Sequence, residues 1–105
     1  MHIIRIIYNQ EFFDNIANLK SYISLDSISI AQKFINKIFN YIEYLYLFPE
    51  MGTIVDSEKE IRKLIYRNYI ILYQIDYEFN LINVLTIFHS SMDINLILKN
   101  IQKYL

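Results

Sequence analysis

Apolar residues recur at helical spacing soon after the start of the chain. Residues three or four positions apart share one face of a helix, and the apolar residues spaced in this way are Phe12, Phe13, Ile16, Leu19 and Ile23. Polar residues such as Asp14, Asn15 and Asn18 fall largely on the opposite face. The pattern predicts an amphipathic helix that ends near Ser24.

The same period continues in a second, longer stretch. Asp26 and Ser27 can accept hydrogen bonds from the free amides of a first helical turn, so they predict where this helix begins. Its apolar stripe runs over residues 30–48, and Pro49 ends it because proline disfavours helical geometry at the preceding residue. Two helices joined by so tight a link predict an antiparallel hairpin with facing apolar stripes.

Other apolar stretches lack helical spacing and are rich in β-branched and aromatic residues, which favour strands. These stretches are 2–7, Ile61–Tyr66, Tyr69–Asp76 and Leu81–His89. The short polar breaks between the last three predict a meander of antiparallel neighbours. Its middle strands are apolar on both faces and therefore need cover on both sides. Residues 51–59 contain the only glycine and little periodicity, so we expect a loop there.

A last helical repeat of apolar residues follows Asp93, which we expect to cap it. The predicted order is therefore β-α-α-β-β-β-α, without a linker or an internal repeat. A chain of 105 residues can form one compact core but not two ordinary domains. We predict a single α+β domain over residues 1–105, in which the helical hairpin packs on a mainly antiparallel four-stranded sheet beside a C-terminal helix.

Composition narrows the chemistry. The chain has no cysteine, which excludes disulfides and thiol nucleophiles, and His2 and His89 lie too far apart for a local metal motif. We therefore expect neither a metal nor another cofactor. A formal charge of −1 provides no global field for holding a polyanion. No apolar run is long enough to cross a bilayer and no export signal is visible, so we expect a cytoplasmic protein without membrane contact.

Four strings of residues, taken together, resemble one family of bacterial toxins. FPEMG at 48–52 is similar to the FPxMG segment of ParE-like proteins, and IRKL at 61–64 to their IRxL strand. YIILYQID at 69–76 resembles their YxIxYxID strand, and residues 84–93 resemble VLRVxHxxRD. Their occurrence in this order and spacing over nearly the whole chain indicates a RelE/ParE-like protein, the toxin half of a type II toxin–antitoxin pair.

The resemblance implies a toxin of the plasmid-stabilisation type that a cognate antitoxin neutralises. The ParE branch poisons DNA gyrase without chemistry of its own, whereas the RelE branch is a ribosome-dependent mRNA endoribonuclease. Thr86 and Met92 stand where the family has arginines, which leaves open a third reading, an inactive homologue that retains antitoxin binding. We favour the ParE branch because no coherent set of acid, base and cations is evident. Assembly is expected as a homodimer or as a toxin–antitoxin hetero-oligomer.

His89 is the strongest chemical candidate, since a neutral imidazole can exchange a proton near physiological pH. With Arg62 and Arg67 it forms the catalytic set of the ribonuclease alternative. The structural alternative is that His89 orders the turn into the last helix by bonding to Asp93 or to a backbone carbonyl, and that the arginines are solvated edge charges.

A wider set of residues is expected to contact the target or the antitoxin. This set is Arg62, Arg67, Tyr69, Tyr73, His89, Asp93, Lys99 and Lys103. Most of the tyrosines are expected in the core or at an interface. A chain this apolar should also leave an exposed apolar patch, which we expect the antitoxin to cover.

Overall fold

The computed structural model describes residues 2–105, apart from the side chain of Tyr104. In chain order the elements are β1 (Arg5–Tyr8), α1 (Gln10–Ser24), α2 (Ile28–Glu43), β2 (Thr53–Asp56), β3 (Ile61–Tyr66), β4 (Tyr69–Asp76), β5 (Leu81–His89) and α3 (Ile94–Ile101). Short 3-10 turns follow α2 at Tyr44–Tyr46 and α3 at Gln102–Tyr104. None of the helices in the described part of the chain has the length and apolar content needed to cross a bilayer.

The strands form one five-stranded sheet in the order β1-β5-β4-β3-β2. β1 runs parallel to β5, and every other neighbouring pair is antiparallel. The predicted α+β fold and the meander of β3, β4 and β5 are confirmed, with the strand bounds that the sequence predicts. The meander places the end of β5 beside the start of β4, where Tyr69 pairs with His89.

The sheet contains one strand more than predicted. Residues 51–59, expected to be a loop, contain β2, which pairs with β3 along the edge of the sheet. β2 is only four residues long, its first two residues are exposed, and its register shifts between Ile54 and Asp56. A short, irregular edge strand lacks the alternation of buried and exposed positions by which a strand is recognised in sequence.

Both ends of α2 and the bounds of β1 test the cap and boundary predictions. Ser27 caps α2, because its Oγ accepts a hydrogen bond from the backbone N–H of Ile30 at 3.2 Å. α2 itself ends earlier than the predicted residue 48, because its last turn tightens into the 3-10 turn after Glu43, as is common at helix ends. β1 was expected at 2–7 but lies at Arg5–Tyr8, the residues that pair with β5.

Each face of the sheet has its own apolar core, as the two-sided strands of the meander require. The helical hairpin covers one face, where the fully buried residues include Phe12, Ile38, Ile71, Tyr73 and Val84. α3 covers the other face, where Ile61, Leu72, Leu85, Phe88 and Ile101 are buried. Because β4 and β5 contribute to both cores, they form the rigid centre from which the ends of the sheet are positioned.

Candidate functional site

A pocket of about 350 Å³ lies where α1, the end of β5 and α3 meet. The polar part of its wall comes from all of these elements and from the start of β4, and consists of Glu11, Asn15, Tyr69, Thr86, His89 and Asn100. Its size is at the lower end of the range of about 300–1,000 Å³ typical of small-ligand sites. The pocket therefore suits one small molecule or one side chain of a partner.

The wall formed by β5 exists because β1 is shorter than β5. The parallel pairing ends at Tyr8 and Val84, after which the backbone N–H of Asn9 makes a last hydrogen bond to the Val84 carbonyl at 2.9 Å. β5 continues for five further residues, to His89, without a strand on that side. The carbonyl groups along this edge therefore need partners from elsewhere in the molecule.

Asn15 of α1 supplies such a partner. Its Nδ2 donates to the carbonyl oxygen of Ile87 at 3.0 Å and to Oγ1 of Thr86 at 3.1 Å. These two hydrogen bonds join the helix to the strand edge, and Thr86 is only 1% exposed. Thr86 therefore occupies a buried, hydrogen-bonded position in the pocket wall.

A β-bulge in β5 lies directly before this wall. Leu72 pairs with Thr86 while Tyr73 pairs with Val84, so Leu85 has no partner on β4. A bulge inserts one residue into a strand and re-aims the side chains that follow it. Here it separates the segment of β5 that pairs with β1 from the segment that lines the pocket.

His89 and Tyr69 form the rim of the pocket at the end of the sheet. Their rings meet edge to face, with centroids 5.5 Å apart. Nδ1 of His89 lies 2.8 Å from Oγ of Ser91 and accepts the backbone N–H of Ser91 at 3.1 Å. His89 thus orders the turn after β5, but through Ser91 rather than through the predicted Asp93 or a carbonyl. Asp93 instead caps α3, as expected, by accepting the backbone N–H of Asn95 at 2.9 Å.

Arg62 lies outside this pocket, and its side chain bonds to the loop before β2. Its Nη1 donates to the carbonyl oxygens of Gly52 at 2.8 Å and Glu50 at 3.1 Å. Its Nε is buried and lacks a hydrogen-bond partner within the described residues. Arg62 is therefore not the solvated edge charge that we considered, because it holds the loop before β2 against β3.

Tyr73 of β4 contacts the same loop before β2, and it cannot act as the surface contact that the sequence suggests. It is 0% exposed, and its hydroxyl donates to the carbonyl of Pro49 at 2.8 Å and accepts the backbone N–H of Gly52 at 2.9 Å. Burial raises the pKa of Tyr73 to about 12, an effect that the hydrogen bond from Gly52 and the nearby charge of Arg62 only partly oppose.

The remaining basic candidates are dispersed. Arg67 is exposed in the turn between β3 and β4, with its guanidinium 5.9 Å from the centre of the Tyr66 ring. Lys99 lies on α3 and Lys103 in the turn that follows it, and both are exposed. Of the predicted site residues, the structure therefore brings only Tyr69 and His89 together in the pocket.

Asn15 and Asn100 were not among the predicted site residues. Asn15 has a detectable signal, because it lies three residues after Phe12 and four before Leu19, at the border of the apolar stripe of α1. Thr86 and Met92, noted in the sequence as departures from a family pattern, both line the pocket. Within residues 2–105 the structure contains no group of three metal-ligating side chains arranged to hold an ion.

Comparisons with known proteins identify the fold and the family. The sequence model described as "ParE toxin of type II toxin-antitoxin system, parDE" matches residues 6–94. No match is found among curated proteins. A chain of the chromosomal ParDE toxin–antitoxin system from P. aeruginosa has a similar structure, with a TM-score of 0.69 and 14% identity over 85% of this chain and 98% of that one. The isolated E. coli RelE toxin is similar with a TM-score of 0.53 and 11% identity, over 100% of both chains.

Proposed function

This chain belongs to the ParE toxin family of type II toxin–antitoxin systems, and on that premise we propose that it binds and poisons DNA gyrase in the cytoplasm without catalysing a reaction. The observation that favours binding over chemistry is the composition of the pocket. Its described lining contains one imidazole and one carboxylate but no lysine or arginine. A protein that acts by occupying a surface of its target does not need a set of catalytic groups.

Cleavage of RNA makes stricter demands. A base must activate the 2′-hydroxyl, cations must stabilise the developing negative charge, and an acid must protonate the leaving oxygen. Here Arg62 bonds to loop carbonyls and Arg67 lies in a turn, so neither accompanies His89 in the pocket. A ribosome-dependent ribonuclease remains the second candidate, because His89 is exposed beside Tyr69 at the end of the sheet.

We further propose that a cognate antitoxin neutralises this toxin by covering apolar surface on the helical hairpin. Large apolar side chains are exposed around the α1–α2 turn, where Tyr22, Leu25, Ile28 and Ile30 are between 62% and 83% exposed. Several large apolar side chains exposed around one turn often mark a protein-binding site. An amphipathic segment of the partner would bury these side chains.

Two assays on purified toxin test the target. We expect inhibition of plasmid supercoiling by gyrase and no cleavage of mRNA in a translating extract. Cleavage of mRNA with normal supercoiling would refute the gyrase proposal and favour the ribonuclease. The absence of both effects, with antitoxin binding retained, would also refute it and identify an inactive homologue.

The variant His89→Ala adds a second criterion. We expect it to remain toxic on induced expression, because His89 has no catalytic part in gyrase poisoning. Loss of toxicity at unchanged thermal stability would instead support the ribonuclease. The control is Ser57→Ala, because Ser57 is exposed in the turn between β2 and β3 and belongs to neither candidate set.

The antitoxin proposal is tested by co-purification of the toxin with its cognate antitoxin. Leu25→Ser should weaken capture while leaving stability nearly unchanged, because Leu25 is 83% exposed. Phe79→Ser is the matched control, since Phe79 is 61% exposed in the turn between β4 and β5. Equal effects of the two substitutions would contradict a binding surface on the hairpin.

A further inference from the structure

Charge is segregated between the two ends of the sheet. At one end β2 leads into β3 and β4 leads into β5, and the carboxylates in or beside these two turns are Asp56, Glu58, Glu60, Asp76 and Glu78. The turn between β3 and β4 lies at the opposite end and carries Arg67 but no acid. A formal charge of −1 therefore does not prevent the local attraction of a polyanion to that end of the molecule.

Helix α2 presents a stripe of hydrogen-bond donors to solvent. The residues of this donor stripe follow one another at intervals of four, three and four, which places them on one face of the helix: Lys33, Lys37, Asn40 and Tyr44. All four are exposed, and within residues 2–105 none of their side chains makes a hydrogen bond or an ion pair. At a rise of 1.5 Å per residue the donor stripe is about 16 Å long.

Ring contacts place Arg67 beside the donor stripe. The guanidinium of Arg67 lies 5.9 Å from the centre of the Tyr66 ring. That ring contacts two rings of α2, with centroid distances of 5.8 Å to Phe34 and 5.6 Å to Tyr41. Lys37 lies three residues after Phe34 and four before Tyr41, so it is on the same side of α2. The turn between β3 and β4 thus adds a third cation to the two lysines of the donor stripe.

The nearby carboxylates lie on other surfaces. Glu43 is the acidic residue of α2, and its charge, after the larger effect of burial, raises the pKa of Tyr8 to about 12. Tyr8 contacts Phe39 with ring centroids 5.5 Å apart, on the side of α2 that faces β1. Asp93 caps α3, which covers the other face of the sheet. In the described part of the chain the three cations therefore have no carboxylate partner, and their charge is available to an external anion.

We propose that this basic surface, which consists of the donor stripe and Arg67, binds the phosphate backbone of duplex DNA. Lysine, arginine, asparagine and tyrosine side chains are donors that proteins use for phosphate oxygens. One strand of B-DNA carries a phosphate every 3.4 Å of helix axis, so a stripe of about 16 Å faces about five of them. An acidic protein segment fits less well, because protein interfaces have an apolar centre and the basic surface contains no aliphatic side chain.

The proposal rests on the proposed function, because gyrase acts on DNA and a toxin bound to gyrase lies beside that DNA. Contacts to phosphates carry no sequence information. The basic surface would therefore hold the toxin on the complex of gyrase with DNA, whatever the sequence of the bound DNA segment.

Titration of the whole chain with a short DNA duplex, followed by NMR, tests the basic surface without gyrase. The backbone amide signals of Lys33, Lys37 and Arg67 should shift, whereas that of Arg5 should not, because Arg5 pairs with Leu81 at the other end of β5. Three phosphate contacts give a slope of about −2.7 in log affinity against log salt, so raising the salt from about 50 to about 200 mM should weaken binding about 40-fold. A slope near zero, or shifts centred on another surface, would overturn the proposal.

Matched substitutions locate the effect. Arg67→Gln removes one cation of the basic surface and should reduce the salt slope to about −1.8, and Lys37→Gln should have the same effect. Arg5→Gln makes the same change at an exposed arginine outside the surface and should leave the slope unaltered. Thermal melts establish that the variants fold. Equal effects of Arg67→Gln and Arg5→Gln would refute the proposal, because binding would then depend on net charge alone.

An acidic polypeptide distinguishes the two kinds of anion. Poly-glutamate at the same concentration of charge should shift the signals of the basic surface less than the DNA duplex does. If poly-glutamate shifts them as strongly, the proposal is overturned in favour of an acidic protein segment.

The outcome is separable from the test of function. Inhibition of gyrase by a chain that does not bind DNA would refute the basic surface alone. Binding of DNA by a chain that does not inhibit gyrase would refute the gyrase proposal and support the basic surface. Where both hold, Lys37→Gln should raise the toxin concentration needed to inhibit supercoiling, and Arg5→Gln should not.

Discussion

The hydroxyl of Tyr73 holds the corner between β4 and the loop before β2, and its removal gives a quantitative test of the structure. Tyr73→Phe retains the ring in the hairpin-side core but deletes the oxygen that bonds to Gly52 and Pro49. Nothing else in the substitution alters volume or charge at neutral pH. The change therefore isolates two hydrogen bonds.

The expected cost follows from the burial of the two backbone groups. An unsatisfied buried donor or acceptor costs about 1–3 kcal/mol. The N–H of Gly52 is in a buried residue, whereas Pro49 is half-buried and water can reach its carbonyl more easily. We therefore expect the cost of one unsatisfied buried group, the Gly52 N–H, and only a small addition from the Pro49 carbonyl. Tyr73→Phe should lower the free energy of unfolding by about 2–3 kcal/mol.

Urea denaturation followed by far-UV circular dichroism measures this loss. Tyr69→Phe is the matched control, because Tyr69 lies on the same strand and its hydroxyl makes no hydrogen bond within the described residues. That control should change stability by less than about 0.5 kcal/mol. If Tyr73→Phe proved as mild as Tyr69→Phe, the corner would not depend on the hydroxyl and the reasoning would be wrong.

The pH dependence supplies an independent check. The pKa of Tyr73 is raised from 10.0 to about 12, chiefly by burial, so the folded state binds the phenolic proton more tightly than the unfolded state. Its contribution is fully present below about pH 10 and is lost as pH rises towards 12, to the extent of about 2–3 kcal/mol. The Tyr73→Phe variant has no phenolic proton at this position and so lacks this pH-dependent loss. The difference in free energy of unfolding between the unaltered chain and the variant should therefore become smaller between about pH 10 and pH 12. A constant gap would contradict the shifted pKa.

Three further substitutions test other parts of the fold by the same urea unfolding measurement. Arg62→Met should lower the free energy of unfolding by about 1–3 kcal/mol, because it leaves two loop carbonyls without their donor. Arg67→Ala in the exposed turn should change this free energy by no more than about 0.5 kcal/mol. Gly52→Ala should cost about 1–3 kcal/mol, since an added Cβ would lie 2.7 Å from a carbonyl of β3. Ser27→Ala should remove the cap of α2 at about 1 kcal/mol; a smaller loss than that of Arg67→Ala would contradict the cap.

The regular elements could be predicted because each carries its signal in its own residues, the helices by the spacing of apolar positions and the strands by residue type. β4 and β5 are buried on both faces and end at polar turns, so their bounds are evident from residue type alone. β2 could not be predicted, because its identity as a strand depends on pairing with β3 rather than on its own composition. Local pattern therefore describes the centre of this sheet better than its edge.

The roles of the site residues were harder to predict, because they depend on approaches between distant segments. Arg62 looked like a charge for a target, yet its acceptors lie ten and twelve residues earlier in the chain. The hydrogen bond between Asn15 and Thr86 spans 71 residues. For His89 the sequence left a chemical and a structural role open, and the structural one named Asp93 or a carbonyl as the partner, whereas the ring contacts Ser91. Contacts of such range are properties of the topology, which no short motif encodes.

The location of the pocket follows from a mismatch in strand length. β1 has four residues and β5 has nine, so a parallel pair that begins at Arg5 and Leu81 must leave the end of β5 without a strand neighbour. A longer β1 would supply a backbone partner for the Ile87 carbonyl and would displace α1 from that edge. Because the chain instead turns into α1 after Tyr8, a helix side chain bonds to the strand and a space remains between helix, strand and α3. Extending β1 by insertion should therefore close the pocket, while the sheet itself becomes more stable to urea unfolding.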